Sequence, residues 1–585
     1  MTELSDRAAA VRSRRVPGVE ARAGKFPGPS LIPALSAIQA RRGWLPREEL
    51  EDLAREVRRP RYEIEGLISF YPHFRTEPPR KVALHLCHDL PCFLRDGEVR
   101  ISEMRERYGE DPDVELVEVS CLGRCDIAPA VAVNERPGRV SEADVLVEDV
   151  RRDAGGEAVA QTRAEPWAND PYPAGAGVAE RYATLRAVLA GTLGPDDVIA
   201  TLKDSGLRGM GGAGFPTGQK WELVRDTEPG SVKYVICNAD ESEPGTFKDR
   251  QILATEPHLV LEGLLIGMAV VGAEEGWVFI RHEYGPEEQV VRAELEALRA
   301  AGVVGRDACG SGRRLELDVF VSPGGYILGE ETALLECMEG HRGEPRNKPP
   351  FPGNYGLHGR PTLMNSVETL ADVPVIVQRG AQWWIDQGIG EAVGWKFFAV
   401  SGHVERPDVY LVPMGTTVRR LIELAGGVSG GGTVGAVQPG GASSNLIGPD
   451  KLDLQLDFAT AAKAGTMLGS GAVVVLAEGT DLLAASTNVL RFFRNESCGK
   501  CVPCRVGSTK AHEILREVIE SGESPEDGAW RDRIVQLEEV IRKTSICGLG
   551  QVALGPVVSV LGLSKGGAAA REQPKPEGAP GQPSR

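Results

Sequence analysis

Hydrophobic positions recur at two different periods along the chain, and the period changes from one stretch to the next. Residues 50–57 place apolar side chains at helical spacing, whereas the short apolar runs 82–86 and 114–119 are typical of strands. Farther along, the helical pattern of 257–271 is followed by a strand-like run at 277–280. Because helices that alternate with strands pack as layers on a sheet, we expect an α/β protein with several domains.

The second half of the chain follows a different pattern. After residue 394, short strand-like runs, a helical segment at 418–424 and a glycine-rich turn predict a small β-grasp-like module, with a simple spacer as the alternative. We assign this module no chemistry. Apolar stripes at 511–519 and 530–541 predict two amphipathic helices that pack as a bundle. The changes of pattern divide the chain into segments 24–150, 151–177, 178–390, 395–475, 476–565 and 566–585.

Composition narrows the range of functions. The chain has 585 residues and a net charge of −17, which argues against binding to nucleic acid. No run of about 18 apolar residues occurs, and the Arg-rich start does not resemble a secretory signal, so we expect a cytoplasmic protein without a membrane span. Segment 151–177 lacks periodicity and predicts a linker, while the Gly- and Pro-rich segment 566–585 predicts a disordered tail.

The most distinctive segment is the glycine-rich loop 206–221. Because many of its residues lack a Cβ atom, backbone N–H groups can turn toward an anion, and Lys220 can add a positive charge. Residues 209–214 satisfy G-x-G-x-x-G, but that dinucleotide fingerprint needs a preceding strand, and 196–204 has a helical pattern. No Gly-Lys-Ser/Thr follows, so the P-loop motif also fails. The loop therefore predicts a phosphate site of another kind, with a surface turn as the alternative.

Two groups of cysteines point to metal clusters, since disulfides explain eleven cysteines poorly in a cytoplasmic chain. The first group combines a Cys-x4-Cys pair with a Cys-x3-Cys pair, at Cys87, Cys92, Cys121 and Cys125. Two loops that each carry two thiolates can hold a small cluster, and four thiolates suit [2Fe-2S]. Zinc is the alternative, but zinc ribbons usually use Cys-x2-Cys pairs.

The second group has the spacing Cys-x2-Cys-x2-Cys followed by a distant cysteine, at Cys498, Cys501, Cys504 and Cys547. Three thiolates on one tight loop, with a fourth brought back by the predicted bundle, are typical of [4Fe-4S] ligation, and zinc is again the alternative. The remaining cysteines lack a partner at ligand spacing and are expected to be core or incidental thiols; they are Cys237, Cys309 and Cys337.

Motifs in three parts of the chain resemble one known family. Gly-Gly-Ala-Gly-Phe-Pro-Thr-Gly-Gln-Lys-Trp, ending at Trp221, and Asn-Ala-Asp-Glu-Ser-Glu-Pro-Gly-Thr-Phe-Lys-Asp, ending at Asp249, resemble the FMN- and NADH-binding subunit of respiratory complex I. Its relatives include the diaphorase subunits of NAD-dependent formate dehydrogenases and NAD-reducing hydrogenases. Residues 24–148 resemble the thioredoxin-like [2Fe-2S] subunit, here fused ahead, and the motifs 497–505 and 545–550 resemble the family's [4Fe-4S] site.

The resemblance implies four folded parts: a thioredoxin-like [2Fe-2S] domain, a Rossmann-like FMN/NADH domain, the β-grasp-like module and a C-terminal helical-bundle [4Fe-4S] domain. It also implies that the glycine loop cradles the FMN phosphate, that Lys348 meets an NADH phosphate, and that Phe215 and Phe351 stack on adenine. Glu330 and Glu331 are expected near the flavin and the nicotinamide. The residues assigned to FMN and NAD(H) are Gly209, Gly211, Gly212, Ala213, Gly214, Phe215, Lys220, Asn238, Asp240, Glu241, Ser242, Glu243, Tyr326, Gly329, Glu330, Glu331, Lys348, Phe351, Asn365, Ser366 and Thr369.

The acidic residues within 238–243 need a special role in such a site, because carboxylates repel the phosphates of a dinucleotide. We expect them to accept hydrogen bonds from ribityl or ribose hydroxyls or from the nicotinamide amide, with an exposed acidic turn as the alternative. Three residues depart from the family pattern: Met210, Leu223 and Ser366 stand where the family commonly has Arg, Phe and Asn. Loss of the Phe removes one aromatic surface for adenine and is expected to weaken NADH binding.

Together these parts predict electron transfer. A nicotinamide exchanges two electrons as hydride, iron–sulfur clusters pass one at a time, and a flavin converts between them. We expect hydride exchange between NADH and FMN, single-electron transfer to the [4Fe-4S] cluster, and a [2Fe-2S] cluster that serves as a branch or temporary store. The hydride step needs no acid or base, so we name no catalytic residue.

The other half-reaction is expected on a partner, because the chain has no molybdopterin or nickel-iron motif. The fused order and segment 440–443 resemble most the β subunit of a soluble formate dehydrogenase, whose catalytic α subunit carries molybdenum or tungsten and further iron–sulfur clusters in a hetero-oligomer. The nearest alternative is the diaphorase subunit of an NAD-reducing hydrogenase or a fused complex I module. An alternative of another class is a non-catalytic scaffold with zinc in both cysteine groups.

Overall fold

The computed structural model describes residues 30–153, 158–161, 167–228, 230–522 and 528–563. The predicted tail lies outside the described residues, as do parts of the predicted linker. Three four-stranded sheets with their accompanying helices, followed by a C-terminal group of helices, make up the described part of the chain.

The first sheet forms the core of the N-terminal part. Its strands are β1 (Val82–Cys87), β2 (Val114–Val119), β3 (Ala130–Val133) and β4 (Arg136–Arg139). They are ordered β2-β1-β3-β4, with β1 parallel to β2 and antiparallel to β3. The accompanying helices are α1 (Leu31–Arg42), α2 (Arg47–Glu56), α3 (Arg61–Ile68), α4 (Leu90–Phe93), α5 (Gly97–Tyr108) and α6 (Ala143–Arg151). Because Cys87 pairs with Val119, the two loops that carry the first cysteine group leave the same end of the sheet.

The second sheet is entirely parallel. Its strands are β5 (Tyr234–Ala239), β6 (Glu275–Arg281), β7 (Glu316–Ser322) and β8 (Thr362–Ser366), in the order β7-β6-β5-β8. Its helices are α7 (Ala183–Leu189), α8 (Pro195–Asp204), α9 (Thr217–Asp226), α10 (Lys248–Thr255), α11 (Pro257–Val271), α12 (Gly285–Ala300), α13 (Glu331–Met338), α14 (Val367–Arg379) and α15 (Ala381–Ile385). The chain adds β6 and β7 on one side of β5 and β8 on the other, so a crevice of the kind that binds ligands opens at their carboxyl ends. Asn238 and Ser366 face each other there in register.

Helix α11 is the most apolar element of this domain, and all of its residues are buried. Its bounds match the sequence prediction. No single helix among the described residues is long and apolar enough to cross a membrane, although α10 and α11, bent by 94° relative to each other, pass that test as a pair.

The third sheet and the last helices complete the chain. The sheet consists of β9 (Trp395–Gly402), β10 (Asp408–Pro413), β11 (Val434–Gln438) and β12 (Ala472–Ala477), ordered β10-β9-β12-β11. The helices that follow β10 are α16 (Val418–Leu424), α17 (Phe458–Lys463), α18 (Leu482–Asn495), α19 (Val502–Ser521), α20 (Ala529–Thr544), α21 (Gly548–Val552) and α22 (Gly555–Leu563). Because β9 is parallel to β12 and antiparallel to β10, the module has the mixed sheet expected of a β-grasp-like unit.

Two large hydrophobic clusters cross the boundaries between these parts. One joins the helices of the second sheet to the third sheet, and the other joins α1–α3 to the C-terminal helices. The domains therefore pack as one continuous body. Short 3-10 turns occur at Cys125–Ile127, Val140–Glu142, His282–Tyr284, Ala308–Gly310, Tyr326–Gly329, Leu357–Gly359, Ser429–Gly431 and Pro449–Lys451.

The predicted linker is not a free connection over its whole length. Trp167 and Ala176 pack into the main core, and the Trp167 ring lies 4.8 Å from the ring of Phe397. Asn169 and Tyr172 are also buried, and the Tyr172 hydroxyl donates a hydrogen bond of 2.8 Å to Glu262. Isolated large side chains among Gly and Pro have no periodicity, so the sequence pattern could not reveal their burial.

Candidate functional site

The glycine loop closes on itself immediately before α9. The N–H of Gly209 donates to the carbonyl of Phe215 at 2.8 Å. Gly214 has a φ of +62°, and a Cβ there would lie 2.7 Å from the Phe458 ring, so only glycine fits. The helix α8 precedes the loop, as predicted, which confirms that the strand–loop–helix order of the dinucleotide fingerprint does not apply.

Residues 211–214 of this loop have backbone N–H groups without a hydrogen-bond partner in the described chain. Within the described part of the chain, no hydrogen bond uses the N–H groups of Gly211, Gly212, Ala213 or Gly214. Gly211 and Ala213 are exposed and Gly212 is half-buried, whereas Gly214 is buried. A row of free N–H groups without large side chains fits an anion such as a phosphate. The arrangement therefore satisfies the requirement for the predicted FMN cradle.

The loop is held against the start of α14. The N–H of Met210 donates to the Thr369 hydroxyl at 2.9 Å, and the hydroxyls of Thr369 and Ser366 lie 2.9 Å apart. A Cβ on Gly211 would lie 3.1 Å from that of Ser366. Three predicted FMN residues, one on the loop and two near the end of β8, are thus brought together.

Lys220 extends this group toward the end of β8. Its Nζ donates to the carbonyl of Met364 at 3.1 Å, and Trp221 Nε1 donates to Asn365 Oδ1 at 3.0 Å. Burial lowers the pKa of Lys220, while Glu331 acts in the opposite direction. The half-buried ammonium group of Lys220, in the first turns of α9 directly after the loop, adds the cation expected for a phosphate site.

Residues at the carboxyl end of β5 meet the turn that contains Gly329. Asn238 Nδ2 donates to the carbonyl of Gly329 at 2.9 Å. The carboxylate of Asp240 accepts hydrogen bonds from the hydroxyls of Ser242 and Ser322, the latter at 3.1 Å. Burial raises the pKa of Asp240 to about 6. Two strands of the second sheet therefore contribute polar groups to the same crevice.

Glu241 turns away from the loop and supports the fold. Its carboxylate accepts hydrogen bonds from the N–H groups of Asp249 and Arg250, at 2.9 and 3.1 Å, and from the Tyr284 hydroxyl at 3.0 Å. A carboxylate at the N-terminus of α10 satisfies free N–H groups and the helix dipole. Burial raises the pKa of Glu241 to about 7. Its assignment to a cofactor stays a prediction.

Glu243 faces the β-grasp-like module. Oε1 accepts from the N–H of Ser443 at 2.8 Å, and Oε2 accepts from the Ser470 hydroxyl at 3.2 Å. A Cβ on Gly441 would lie 2.9 Å from the carboxyl carbon of Glu243. The glycine-rich segment 440–443 is therefore needed for this close approach, which gives the β-grasp-like module a structural role at the site.

Lys348, the lysine predicted to meet an NADH phosphate, bridges the carboxylates of Glu330 and Glu331. Lys348 Nζ donates to Glu330 at 2.8 Å and to Glu331 at 2.6 Å. Glu330 also caps α13 by accepting from the N–H of Thr332 at 2.9 Å. Burial alone raises the pKa of Glu331, but Lys220 and Lys348 outweigh it, and the pKa is lowered. Lys220, Glu330, Glu331 and Lys348 thus form one charged group.

Aromatic surface at the site is accessible. Phe215 and Phe351 are both exposed, as adenine stacking requires. Leu223, which replaces an aromatic residue of the family, is exposed as well. The structure gives no ring contact between Phe215 and Phe351 in the described chain, so their joint role stays a prediction.

The first cysteine group is assembled and enclosed. Cys87 ends β1, Cys92 lies in α4, and Cys121 and Cys125 follow β2, with all four side chains buried. The Sγ atoms of Cys121 and Cys125 are 3.5 Å apart, and the N–H of Ala130 approaches the Cys92 sulfur at 3.4 Å. Hydrogen bonding from Cys125 and Cys87 lowers the pKa of Cys121. Four clustered thiols with N–H donors fit a [2Fe-2S] cluster.

The second cysteine group lies where α18, α19 and α21 meet. Cys504 is in the first turn of α19 and Cys547 precedes α21, while Cys498 and Cys501 lie on the loop before α19. A Cβ on Gly550 would lie 3.0 Å from that of Cys504, so the two segments touch. Burial raises the pKa of Cys504 to about 11 and that of Cys547 to about 12. Cationic iron would reverse this effect when bound, because it stabilises thiolates.

One half-buried carboxylate connects the three cofactor regions. Glu496 Oε1 accepts from the Ser120 hydroxyl at 2.5 Å, and Oε2 accepts from the N–H of Tyr326 at 2.8 Å. Ser120 precedes Cys121, and Glu496 lies two residues before Cys498. The Tyr326 ring packs at 4.9 Å against Phe492 of α18. Sequence reasoning missed Glu496, and only its position beside the cysteine motif could have drawn attention to it.

Arg281 makes a second connection that the sequence did not reveal. Its guanidinium donates to the carbonyl of Glu241 at 2.6 Å and to the carbonyl of Cys121 at 2.7 Å. Glu283 balances the charge of this buried guanidinium at 2.7 Å. The backbone of the predicted flavin segment is thereby fixed against the loop of the first cysteine group.

Four family models match successive parts of the chain. They are the Thioredoxin-like [2Fe-2S] ferredoxin over residues 24–148, the Nuo51 FMN-binding domain over 202–375, the SLBB domain over 397–443 and the NADH-ubiquinone oxidoreductase-F iron-sulfur binding region over 484–563. These matches confirm the predicted four-part α/β fold. Together with the similarity to NADH-quinone oxidoreductase F subunits, they confirm the predicted cofactors FMN, NAD(H), [2Fe-2S] and [4Fe-4S], and they argue against the zinc scaffold.

Similar proteins come from respiratory and hydrogenase systems. The F subunit of NADH-quinone oxidoreductase from Mycobacterium tuberculosis (strain ATCC 25618 / H37Rv) is 41% identical over 381 residues, which are 65% of this chain and 84% of that protein. The NADP-reducing hydrogenase subunit HndC of Solidesulfovibrio fructosivorans is 39% identical over 381 residues, 65% of this chain and 76% of that protein. A crystal structure of an NAD+-reducing [NiFe]-hydrogenase in the H2-reduced state matches with a TM-score of 0.79 and 29% identity, covering 91% of this chain and 92% of that chain.

Proposed function

Because the chain belongs to the family of the NADH-quinone oxidoreductase F subunits, we propose that this NADH-oxidising flavin protein exchanges electrons with a separate catalytic subunit. When bound, FMN exchanges hydride with a nicotinamide and single electrons with iron–sulfur clusters. The free N–H groups of 211–214 and Lys220 hold its phosphate. The charged group of Glu330, Glu331 and Lys348 orients NADH, with Phe215 and Phe351 exposed for the adenine.

The observation that carries the proposal is the different exposure of the two cysteine groups. All four thiols of the first group are buried, whereas Cys498, Cys501 and Cys547 of the second are only partly buried. Exposed apolar residues Val502 and Ile546 lie beside them. Electron transfer to a partner requires close approach, so the second group is the exit toward a subunit that carries a further iron–sulfur cluster.

The Cys501→Ala variant tests this route. Flavin reduction by NADH should persist, because the FMN and NADH residues are unchanged, while reduction of an external iron–sulfur protein should fall at least about tenfold. The Cys309→Ala variant is the control, since Cys309 belongs to neither cysteine group. Stopped-flow flavin bleaching and acceptor reduction measure the two steps. Undiminished acceptor reduction by the Cys501→Ala variant would contradict the proposed exit.

The docking surface can be tested separately from the cluster. Val506 of α19 is 54% exposed near the second cysteine group, and Val99 of α5 is 58% exposed in the N-terminal domain. We expect Val506→Glu to weaken transfer to the native partner without changing NADH-dependent reduction of ferricyanide. Val99→Glu is the matched control and should leave both rates unchanged.

For the partner, we favour a molybdenum- or tungsten-containing formate dehydrogenase subunit, on the basis of the fused domain order and segment 440–443. The second candidate is a hydrogenase, which the similarity to the NAD+-reducing [NiFe]-hydrogenase favours. The third candidate is complex I, of which this chain would be a fused NADH-oxidising module. We also propose a cytoplasmic location, since the three cysteines outside the two cysteine groups form no disulfide, as expected in a reducing compartment.

Metal analysis of the native complex distinguishes these partners. Molybdenum or tungsten together with formate-dependent NAD+ reduction would support the first, and nickel with H2-dependent NAD+ reduction would support the second. Co-purification with quinone-reducing membrane subunits, without either activity, would favour the complex I arrangement and contradict both.

A further inference from the structure

Three side chains from different parts of the molecule converge at a place that the proposed electron route does not use. His73 lies between α3 and β1, Glu135 lies in the turn between β3 and β4, and His282 follows β6. One potential ligand atom of each lies within 4.8 Å of the others. The two imidazole rings have a centroid separation of 4.3 Å.

The backbone around these residues is firmly held. The carbonyl of His73 accepts from Gln39 Nε2 at 2.7 Å. Gly324 packs so closely that a Cβ there would lie 2.7 Å from Cε1 of His282. Glu135 has a φ of +64°, in the left-handed region that Glu seldom adopts. The amide of Asn134 anchors this turn by accepting from the N–H of Ala83 at 2.7 Å, and the neighbouring Glu135 is exposed.

The ring nitrogens of the cluster are available for metal ligation. Both histidine side chains are half-buried, and no hydrogen bond engages a ring nitrogen of His73 among the described residues. His282 Nδ1 is buried without a hydrogen bond in the described chain. The carboxylate of Glu283 lies 3.3 Å from this nitrogen, but Arg281 already engages that carboxylate at 2.7 and 3.0 Å.

Other charged groups near the cluster are compensated. Arg75 lies 3.4 Å from His85 Nε2, and its guanidinium forms an ion pair with Glu115. The Arg75 guanidinium is therefore paired, and a carboxylate oxygen of Glu135 lies within 4.8 Å of a ring nitrogen of each histidine of the cluster.

We propose that His73, Glu135 and His282 bind a divalent transition metal ion, with Zn²⁺ as the best match, which links the [2Fe-2S] domain to the flavin domain. Two imidazoles and one carboxylate are typical of zinc, whereas Ca²⁺ and Mg²⁺ prefer oxygen ligands. Ligand atoms in a tetrahedral zinc site are roughly 3.3 Å apart, given zinc–ligand bonds of about 2.0–2.2 Å. The exposed Glu135 side chain can move to close this distance, and water completes the coordination.

Zinc binding to the cluster-loaded protein tests the site. After removal of adventitious metal with EDTA, isothermal titration with ZnCl2 should give one equivalent of binding per chain, with the iron content unchanged. Glu135→Gln should weaken the affinity at least about tenfold, since loss of even an outer partner costs that much. Because Glu135 lies on an exposed turn, this variant is expected to fold even if variants of the less exposed histidines do not.

His358 provides the matched control, because it is exposed on another part of the surface. His358→Gln should bind Zn²⁺ as the wild type does. Zinc should also raise the Tm of the wild type but not of Glu135→Gln, because an ion that binds only the folded state stabilises it. Equal zinc affinity in wild type and Glu135→Gln, no binding at all, or binding accompanied by loss of iron would overturn the assignment.

Discussion

At the scale of single residues, tertiary contacts decide the role of an ionisable side chain more than its position in a sequence motif does. Glu241 and Glu243 belong to one acidic segment, yet one caps α10 and the other contacts the β-grasp-like module. The two residues are of the same type and lie two positions apart in the sequence. The direction of each side chain nevertheless depends on the surrounding tertiary packing. Such groups become conspicuous only when their hydrogen-bond partners are known.

His512 of α19 permits a test of burial at this scale. Its ring is buried, and Arg494 donates to Nδ1 at 2.9 Å, so burial and nearby arginines lower its pKa to about 4. The unfolded chain has a His pKa of about 6.5 and therefore binds more protons between pH 6.5 and 4. The stability contributed by His512 is thus present above pH 6.5 and is lost as the pH falls toward 4.

We expect the stability difference between wild type and His512→Gln to shrink as the pH is lowered from 7.5 to 5. Urea unfolding at several pH values measures this difference, and comparison at equal pH cancels the acid sensitivity of the clusters. A difference that is independent of pH would show that the pKa of His512 is not lowered in the folded protein.

At the scale of elements, close helix packing shapes the flavin domain. α11 and α14 cross with so little space that a Cβ on Gly263 would lie 1.9 Å from the carbonyl oxygen of Leu370. Both helices carry apolar residues on most of their surface, so hydrophobicity alone does not specify this approach. Helix α11 was predicted with its correct bounds, but its contact with α14 depends on one small residue.

Gly263→Ala should destabilise the protein by about 2–3 kcal/mol, because the added methyl group forces the helices apart. Gly66 of α3 is the control, since it has no heavy atom within 4 Å of an added Cβ. Gly66→Ala should be neutral or stabilise by about 0.5–1 kcal/mol, as expected for Gly→Ala within a helix. Chemical denaturation of both variants gives the comparison, and equal effects would argue against tight helix packing.

At the scale of the whole molecule, buried ion pairs join the domains. Arg124, next to Cys125, forms a two-fold hydrogen-bonded pair with Glu287 of α12 at 2.8 and 2.9 Å. The two side chains are only 3% and 1% exposed. Arg250 and Asp126 make a second buried pair at 2.6 Å. The [2Fe-2S] domain is therefore fixed to the flavin domain by charges that water cannot screen.

Arg124→Met should cost roughly 3–5 kcal/mol, because it leaves Glu287 buried without a partner. The double variant Arg124→Met/Glu287→Leu should recover much of this loss, since it removes the isolated charge. Denaturant titration measures the free energy of unfolding. Arg100→Met is the control: its pair with Glu103 is exposed, so the change should stay below about 1 kcal/mol. Equal losses in the single and double variants would contradict this account.

The sequence by itself determined the cofactor types and many of the elements. The features that determined them are cysteine spacing, the glycine loop and local hydrophobic periods. Each depends on residues near one another in the chain, so each can be recognised from the sequence alone. For the same reason the helix at 257–271 and the strands at 82–86 and 114–119 were predicted almost to the residue.

Only the tertiary structure decided how these parts are joined. Glu496 reaches Ser120 across 376 positions, Arg281 reaches Cys121 across 160, and His73, Glu135 and His282 meet from three separate segments. The buried residues of the predicted linker are likewise held by contacts with residues that are distant in the sequence. No local pattern encodes such contacts, because each depends on how separate elements pack in space.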